Sequence, residues 1–340
     1  MIQPNIVLVQ CARRHLSYAP HLLAYSIAVC SLALGHSAVG QTGDENEKRC
    51  ADSTEDSDVR IGACTALIQF SQQSTGHLAV AYNDRGNGYK DRGEYDRAIQ
   101  DFGQAIRLKP DFAIAFYNRG NAYDSKGEYD RAIQDLDQAI RLKPDDTDAF
   151  YAFYGRGYAY NAKGDYDRAI QDYDQALRLE PNDANVFIVR GVANFLRADL
   201  ARAVTDFERG SELNPAIAYD VLWLHLARKR LGQDDSKDLI ERSAKADPSH
   251  WPAPILKLYM GQMTADQMMA AVASSGANKQ TGELCEANFF AGEEALLHQH
   301  RADAKTLLKA AQDGCPKTNL HYDAAAAELR RLDAMAAPAK

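Results

Sequence analysis

AFYNRGNAYDSKGEYDRAIQDLDQAIRLKP, residues 115–144, is followed by AFYGRGYAYNAKGDYDRAIQDYDQALRLEP, residues 152–181, and the two segments agree at most positions. The pattern extends in both directions. Gly86, Gly120, Gly157 and Gly191 are spaced by 34, 37 and 34 residues, and Pro110, Pro144, Pro181 and Pro215 keep the same rhythm. Three residues after each glycine stands an aromatic (Tyr89, Tyr123, Tyr160), with Asn194 the exception. Twelve residues after it comes an alanine (Ala98, Ala132, Ala169, Ala203), and nineteen after it a second small residue (Ala105, Ala139, Ala176, Gly210). A fixed period of this length is the signature of a stacked-repeat architecture.

The residue types explain the period. Two helices approach closely only where side chains are small, so Gly120 and Ala132 mark a tight crossing, with Phe116, Tyr123 and Leu136 filling the space around it. Gly127 falls where a turn between the helices needs a left-handed backbone, and Pro144 ends the second helix. Each hairpin then leaves an apolar face that only the next hairpin covers. A charged pattern repeats as well: Arg85, Arg119, Arg156 and Arg190 precede the glycines, and Asp101, Asp135, Asp172 and Asp206 follow them by fifteen residues. Since Phe116, Arg119 and Tyr123 share a helical face, a ladder of partly buried Arg–Asp pairs, structural in role, is expected.

These residues resemble the tetratricopeptide repeat, a unit of two antiparallel helices. The likeness covers residues 79–215 in four copies, with three extra residues near 145–148. It implies an all-α fold, a right-handed superhelical solenoid of helix hairpins. A further unit reads from 285 to 318, where Cys285, Phe289, Gly292, Ala304, Ala311 and Pro316 reproduce the offsets, and residues 319–332 read as a capping helix within a C-terminal region of 285–340. Residues 216–284 read as a degenerate helical repeat region, and 41–78 as an N-terminal capping segment. From about 190 to 335 the order of short elements, Leu222-Trp223-Leu224, SHWPAPILKLYMGQ and CEANFFAGEEALL, is similar to that of NlpI-type periplasmic lipoproteins. That resemblance implies an adaptor that brings proteases or cell-wall hydrolases to their targets, with dimerisation in some members.

The first forty residues differ from the rest. Arg13, Arg14 and His15 precede an apolar stretch from Leu22 to Leu34, and Ala38-Val39-Gly40 follows. This is the order of a signal peptide, residues 1–40, and it predicts an exported protein of the periplasm or cell envelope of a Gram-negative bacterium. About thirteen apolar residues are short of the roughly twenty that span a bilayer. A retained anchor and lipidation at Cys30 are the alternatives. Cleavage near Gly40 would leave Cys50, Cys64, Cys285 and Cys315, an even set suited to an oxidising compartment. Antiparallel packing of the last unit brings Cys285 near Cys315, and Cys50 and Cys64 share the N-terminal segment. The expected bonds are therefore Cys50–Cys64 and Cys285–Cys315, against four free thiols in a cytosolic chain.

The chain of 340 residues is 46% hydrophobic and 25% charged, with a formal charge of −8 and no run of Lys or Arg. Nucleic acid is an unsuitable partner. In a superhelix of hairpins the first helices line the concave side, so a groove is expected on Asn83 and Asn87, on Tyr117, Asn121 and Asp124, on Tyr151, Tyr154, Tyr158 and Asn161, and on Phe195. Asn side chains can hold a peptide backbone and Tyr offers rigid contact area, so the expected partners are proteins or peptides. Asn87 with Asn118 could supply the amide half of a carboxylate grip, but Asn83 and Tyr151 stand where its lysines would be. The alternative is that these residues form solvated helix faces.

No cofactor or metal is expected. His298-Gln299-His300 is the best material for a metal-dependent hydrolase, yet residues two apart on a helix point to opposite sides. Glu293 and Glu294 are adjacent and read as solvent charges. The function expected is a non-catalytic scaffold or adaptor. The second reading is an architectural envelope protein that self-associates, as a homodimer, through the apolar element around Trp251 and Leu258.

Overall fold

The computed structural model describes residues 43–69, 74–144, 147–215, 218–245, 251–274, 277–317 and 319–336. The expected leader, residues 1–40, lies outside them. The described residues form seventeen helices and no strand. An N-terminal cap consists of α1 (43–51) and α2 (Ser57–Gln69). Four hairpins follow: α3 (Thr75–Asp91) with α4 (Tyr95–Leu108), α5 (Ala113–Ser125) with α6 (Tyr129–Leu142), α7 (Thr147–Ala162) with α8 (Tyr166–Leu179), and α9 (Ala184–Leu196) with α10 (Leu200–Leu213). The remainder comprises α11 (Ala218–Arg230), α12 (Ser236–Ser243), α13 (Ala253–Tyr259), α14 (Ala265–Ala273), α15 (Ala277–Leu297), α16 (Arg301–Gly314) and α17 (Leu320–Ala336).

Each hairpin is fixed at two points. At the crossing, a Cβ on Gly86, Gly120, Gly157, Gly191 or Gly292 would come within 2.6, 2.9, 2.7, 2.6 and 2.9 Å of Phe102, Leu136, Tyr173, Phe207 and Leu308 respectively. The large partner always lies sixteen residues beyond the glycine. Sequence reasoning recognised Leu136 alone of these five, because their side chains share size and not identity. At the turn, the chain enters the left-handed region at Gly93, Gly127 and Gly164, with φ of 75°, 74° and 78°. The same turn in the fourth and last hairpins is made by Ala198 (φ 68°) and Gln299 (φ 64°), where a Cβ is strained.

Arginine–aspartate pairs tie the two helices of each of the first four hairpins. Arg85, Arg119 and Arg156 each place Nε and Nη2 on the two carboxylate oxygens of Asp101, Asp135 and Asp172, with Nε distances of 2.7, 2.7 and 2.8 Å. Arg190 does the same to Asp206, and Asn194, which replaces the aromatic, donates to that carboxylate at 2.9 Å. Such forked pairs are directional as well as charged. The ladder also links hairpins: Arg156 reaches back to Asp137, and Arg190 to Asp174 at 2.6 Å. Before Arg119 the corresponding residue is Gly103, whose absent Cβ would lie 3.7 Å from the Arg119 Nη1.

Beyond α10 the stack rolls up. The first hairpins carry small separate clusters, whereas residues from Val192 to Leu332 share one large core. Its centre is Trp223, 1% exposed, with Phe195 and Phe289 each 5.3 Å away between ring centroids and the His321 ring stacked on it at 5.9 Å. This changes three readings of the sequence. Phe195, expected in the groove, is 1% exposed, because α11 and α15 cover it and the Arg230 guanidinium lies 4.3 Å above its ring. Glu293, expected to be a solvent charge, is fully buried and pairs at 2.5 Å with Arg230, which also holds Glu328 at 2.8 Å. Leu258, expected at a self-association surface, is buried, and the Trp251 Nε1 donates to Glu286 at 2.6 Å.

Both cysteine pairs are at bonding distance. Cys50 and Cys64 join α1 to α2 with Cα atoms 4.9 Å apart, and Cys285 and Cys315 join α15 to the end of α16 at 5.0 Å. Cys285 lies inside α15, eight residues after its start at Ala277. Among the described residues no helix is long and apolar enough to cross a membrane.

Two sets of substitutions test these constraints by chemical denaturation. Ala198→Gly and Gln299→Gly should each stabilise the protein by about 0.5–1 kcal/mol, and Gly127→Ala should destabilise it by about 1 kcal/mol. Gly103→Asp replaces a mid-helix glycine and gives Arg119 the second carboxylate that Arg156 and Arg190 possess. It should stabilise by about 1 kcal/mol.

Candidate functional site

The first helices α3, α5, α7 and α9 pack side by side, while each second helix sits outside them, touching the first helices before and after it. The first helices therefore form the inner wall of a curved array, and residues opposite their core stripes face its hollow. On α5 and α7 this wall is aromatic. The Tyr117 and Tyr151 rings are 6.3 Å apart, Phe150 meets Tyr151 edge-on at 5.1 Å, and Tyr154 lies 6.4 Å from Tyr158 and 6.2 Å from Tyr173. Tyr151 is 49% exposed, so the strip is open at that end. Tyr154 and Tyr158 sink deeper, and burial pushes the Tyr154 phenol up to about 12 and raises Tyr158 as well. Asn121 is half-buried with its Oδ1 near Gly155 of α7, and Asn87 on α3 is half-buried.

Not every expected groove residue is available. Asn83 is buried and accepts a hydrogen bond from the Asn118 Nδ2 at 2.9 Å, so these amides bridge α3 to α5. With Asn118 committed there, the carboxylate grip proposed for Asn87 and Asn118 loses its amide half. Asn161 is 1% exposed, and neither of its amide atoms has a hydrogen-bond partner.

The groove is shared with the end of the chain. Helix α17 lies against α7 and α9. Just before it, the Lys317 carbonyl accepts from the Tyr129 hydroxyl at 3.3 Å. Farther on, Ala327 and Arg330 line a cleft of about 420 Å³ with Lys163, Gly164, Tyr166 and Leu196. Asp323, Ala327 and Arg330 thus form the stripe of α17 that faces the hairpins, at four- and three-residue spacing. The Asp323 Oδ2 and the Asp124 Oδ1 are both closed off from solvent without a partner. Burial raises Asp124 to about 6; burial, helped by the charge of Asp124 and opposed by Arg330, raises Asp323 to about 7. The groups that face these carboxyls are Tyr129 on α6, Tyr158 on α7, Tyr166 on α8 and Arg330 on α17 itself. Sequence spacing placed Asp124 on the inner wall but carried no sign of Asp323 opposite it, because the two are brought together only by the rolled-up second half.

Elsewhere, His298 and His300 are exposed, with the His298 Nδ1–H donating to the Glu294 carbonyl at 3.0 Å. Among the described residues no three His, Cys, Asp or Glu side chains converge as a metal site.

Residues 83–147 and 150–183 match models of the tetratricopeptide repeat, so the chain carries tetratricopeptide repeats. No curated protein matches the sequence. Three solved structures give the range of likeness. A MamA fragment from Desulfovibrio magneticus RS-1 is 20% identical, over 52% of this chain and 94% of that one, with a TM-score of 0.45. YrrB, described as a TPR protein with an unusual peptide-binding site, is 20% identical over 60% of this chain and all of its own, at 0.47. The first TPR of Spaghetti (RPAP3), bound to an HSP90 peptide, is 26% identical over 37% and 96%, at 0.35.

The two carboxyls give the seam a pH dependence of defined sign. Their values are raised in the folded chain and lie near about 4 in the unfolded one. Their contribution therefore favours the folded state most below pH about 4 and is lost as pH rises through about 6 and 7. Asp323→Asn removes the larger part of this penalty. Relative to the parent it should stabilise the protein by on the order of 1–2 kcal/mol at pH about 8 and by little at pH about 4, as read from denaturation curves at both values.

Proposed function

We propose that this protein is a non-catalytic adaptor that holds a peptide or a short segment of another protein against the inner wall of its tetratricopeptide array. The observation that carries this reading is the aromatic strip on α5 and α7, half-buried at Tyr117 and open at Tyr151, on the hollow side of a rigid stack. Tyrosines held in this way supply contact area at small entropic loss, because their backbones and neighbours are already ordered. Amides on the inner helices, at Asn87 and Asn121, suit the donors and acceptors of a peptide main chain.

We place the activity outside the cytoplasm, in the periplasm or cell envelope. The leader-like first forty residues and the two cysteine pairs at bonding distance support this. The order of elements in the second half, similar to NlpI-type lipoproteins, supports a client that is a protease or a cell-wall hydrolase. Self-association through Trp251 and Leu258 has less to stand on, since Leu258 is spent in the core and Trp251 is held by Glu286.

The decisive experiment is affinity capture from a periplasmic extract with the parent and with Tyr117→Ala/Tyr151→Ala. These side chains lie outside the hairpin crossings, so the variant should keep its thermal midpoint within a few degrees. It should lose at least tenfold of a co-purifying protein. Equal capture by both chains moves the binding surface elsewhere.

A further inference from the structure

We propose that the seam between α17 and the inner wall is a site for a hard divalent cation of the Ca²⁺ class, held by Asp124 of α5, Asn161 of α7 and Asp323 of α17. The inference goes beyond the peptide groove and does not depend on it. It starts from where the unsatisfied polar atoms fall. Of the twelve buried side-chain atoms without a hydrogen-bond partner among the described residues, five belong to this one place: the Asp124 Oδ1, both amide atoms of Asn161, the Tyr173 hydroxyl and the Asp323 Oδ2. Each such atom costs free energy unless something satisfies it, and their concentration points to a shared ligand.

The repeat accounts for the convergence. Asp124 stands four residues after Gly120 and Asn161 four after Gly157, so they hold the same position on adjacent inner helices. Asp323 faces them from α17: the charge of Asp124 reaches it, and both charges reach the phenols of Tyr129 and of Tyr158, which precedes Asn161 by three residues on α7. Tyr173 is wholly buried, its ring fills the crossing at Gly157, and the charge of Asp124 reaches its hydroxyl too. Asn161 and Asp323 are 1% and 7% exposed, so bulk water does not serve them. Arg330, two turns along α17, hydrogen-bonds with the Tyr166 hydroxyl and offsets only part of the cost of burying Asp323. Two carboxylates and an amide carbonyl, with no sulfur or imidazole among them, are the donors that hard cations prefer. Ca²⁺ takes about six to eight oxygens in flexible geometry and completes its shell with water, whereas Mg²⁺ demands a near-ideal octahedron. Three ligands from three separate helices suit the former. One ion would give both carboxylates their missing counter-charge and tie α17 to α5 and α7.

The test uses the full chain at pH about 8 in about 0.15 M salt, where exposed carboxylates are screened. Tb³⁺ serves as the luminescent stand-in for Ca²⁺, because Tyr129, Tyr158 and Tyr173 surround the site and pass excitation energy to a bound ion. Emission excited through tyrosine should saturate near one equivalent of Tb³⁺, and Ca²⁺ should displace it. Asp323→Asn and Asp124→Asn, made separately so that one folded variant suffices, should each weaken both ions at least tenfold. Asp130→Asn, which alters an exposed carboxylate paired with Lys163, should change neither. Tyr129→Phe/Tyr158→Phe should dim the emission at least twofold and leave the Ca²⁺ displacement midpoint in place. Thermal melts give a second readout: about 1 mM Ca²⁺ should raise the midpoint of the parent by several degrees over EDTA and leave that of Asp323→Asn unmoved. Emission that never saturates, or that persists undiminished in a folded Asp124→Asn/Asp323→Asn chain, assigns the ions to surface carboxylates and overturns the site. A parent whose midpoint is the same in Ca²⁺ and in EDTA overturns it as well, and either result leaves the peptide groove standing.

Discussion

The whole array depends on one steric constraint: at the crossing of each hairpin there is room for a single large side chain, and the opposing helix must yield by having none. Phe102, Leu136, Tyr173, Phe207 and Leu308 fill that room in turn, and the glycine sixteen residues earlier is what makes it available. Close packing of this kind tolerates little change in volume. It also sets the separation of the two helices, which in turn brings Arg and Asp to bonding distance and aims the remaining residues of the first helix into the hollow.

Two regimes follow within one chain. In the first three hairpins the buried residues fall into small clusters, each shared with the next hairpin, as in a linear stack. Helices α12 to α14 are short, and a single core gathers residues that are far apart in sequence around Trp223. The second half is thus less a continuation of the stack than a globular end that folds back onto it. That return is what converts an open trough into one partly occupied by the chain itself.

The same division explains what the sequence revealed. Repeat period, hairpin turns, the Arg–Asp ladder and both cysteine pairs depend on neighbours within one or two units, so spacing alone disclosed them. The spacing of Tyr117 and Tyr151 is also local, and their rings lie 6.3 Å apart, half-buried and exposed respectively. Phe195 and Glu293 were misread because their surroundings come from elements more than twenty residues away: α11 and α15 over Phe195, and Arg230 beside Glu293. Asn83 was misread for a subtler reason. Its partner Asn118 lies two residues before Gly120, whereas Asn83 lies three before Gly86, so the repeat does not pair the two positions.

The cysteine pairs have a consequence for how such a stack comes apart. A linear array ordinarily unravels from its outermost member, which has a neighbour on one side only. Here the first pair of helices and the last hairpin are each cross-linked internally, across 14 and 30 residues of sequence. Fraying at the rims is thereby suppressed, and rupture has to start within the stack, where two apolar faces must be bared at once.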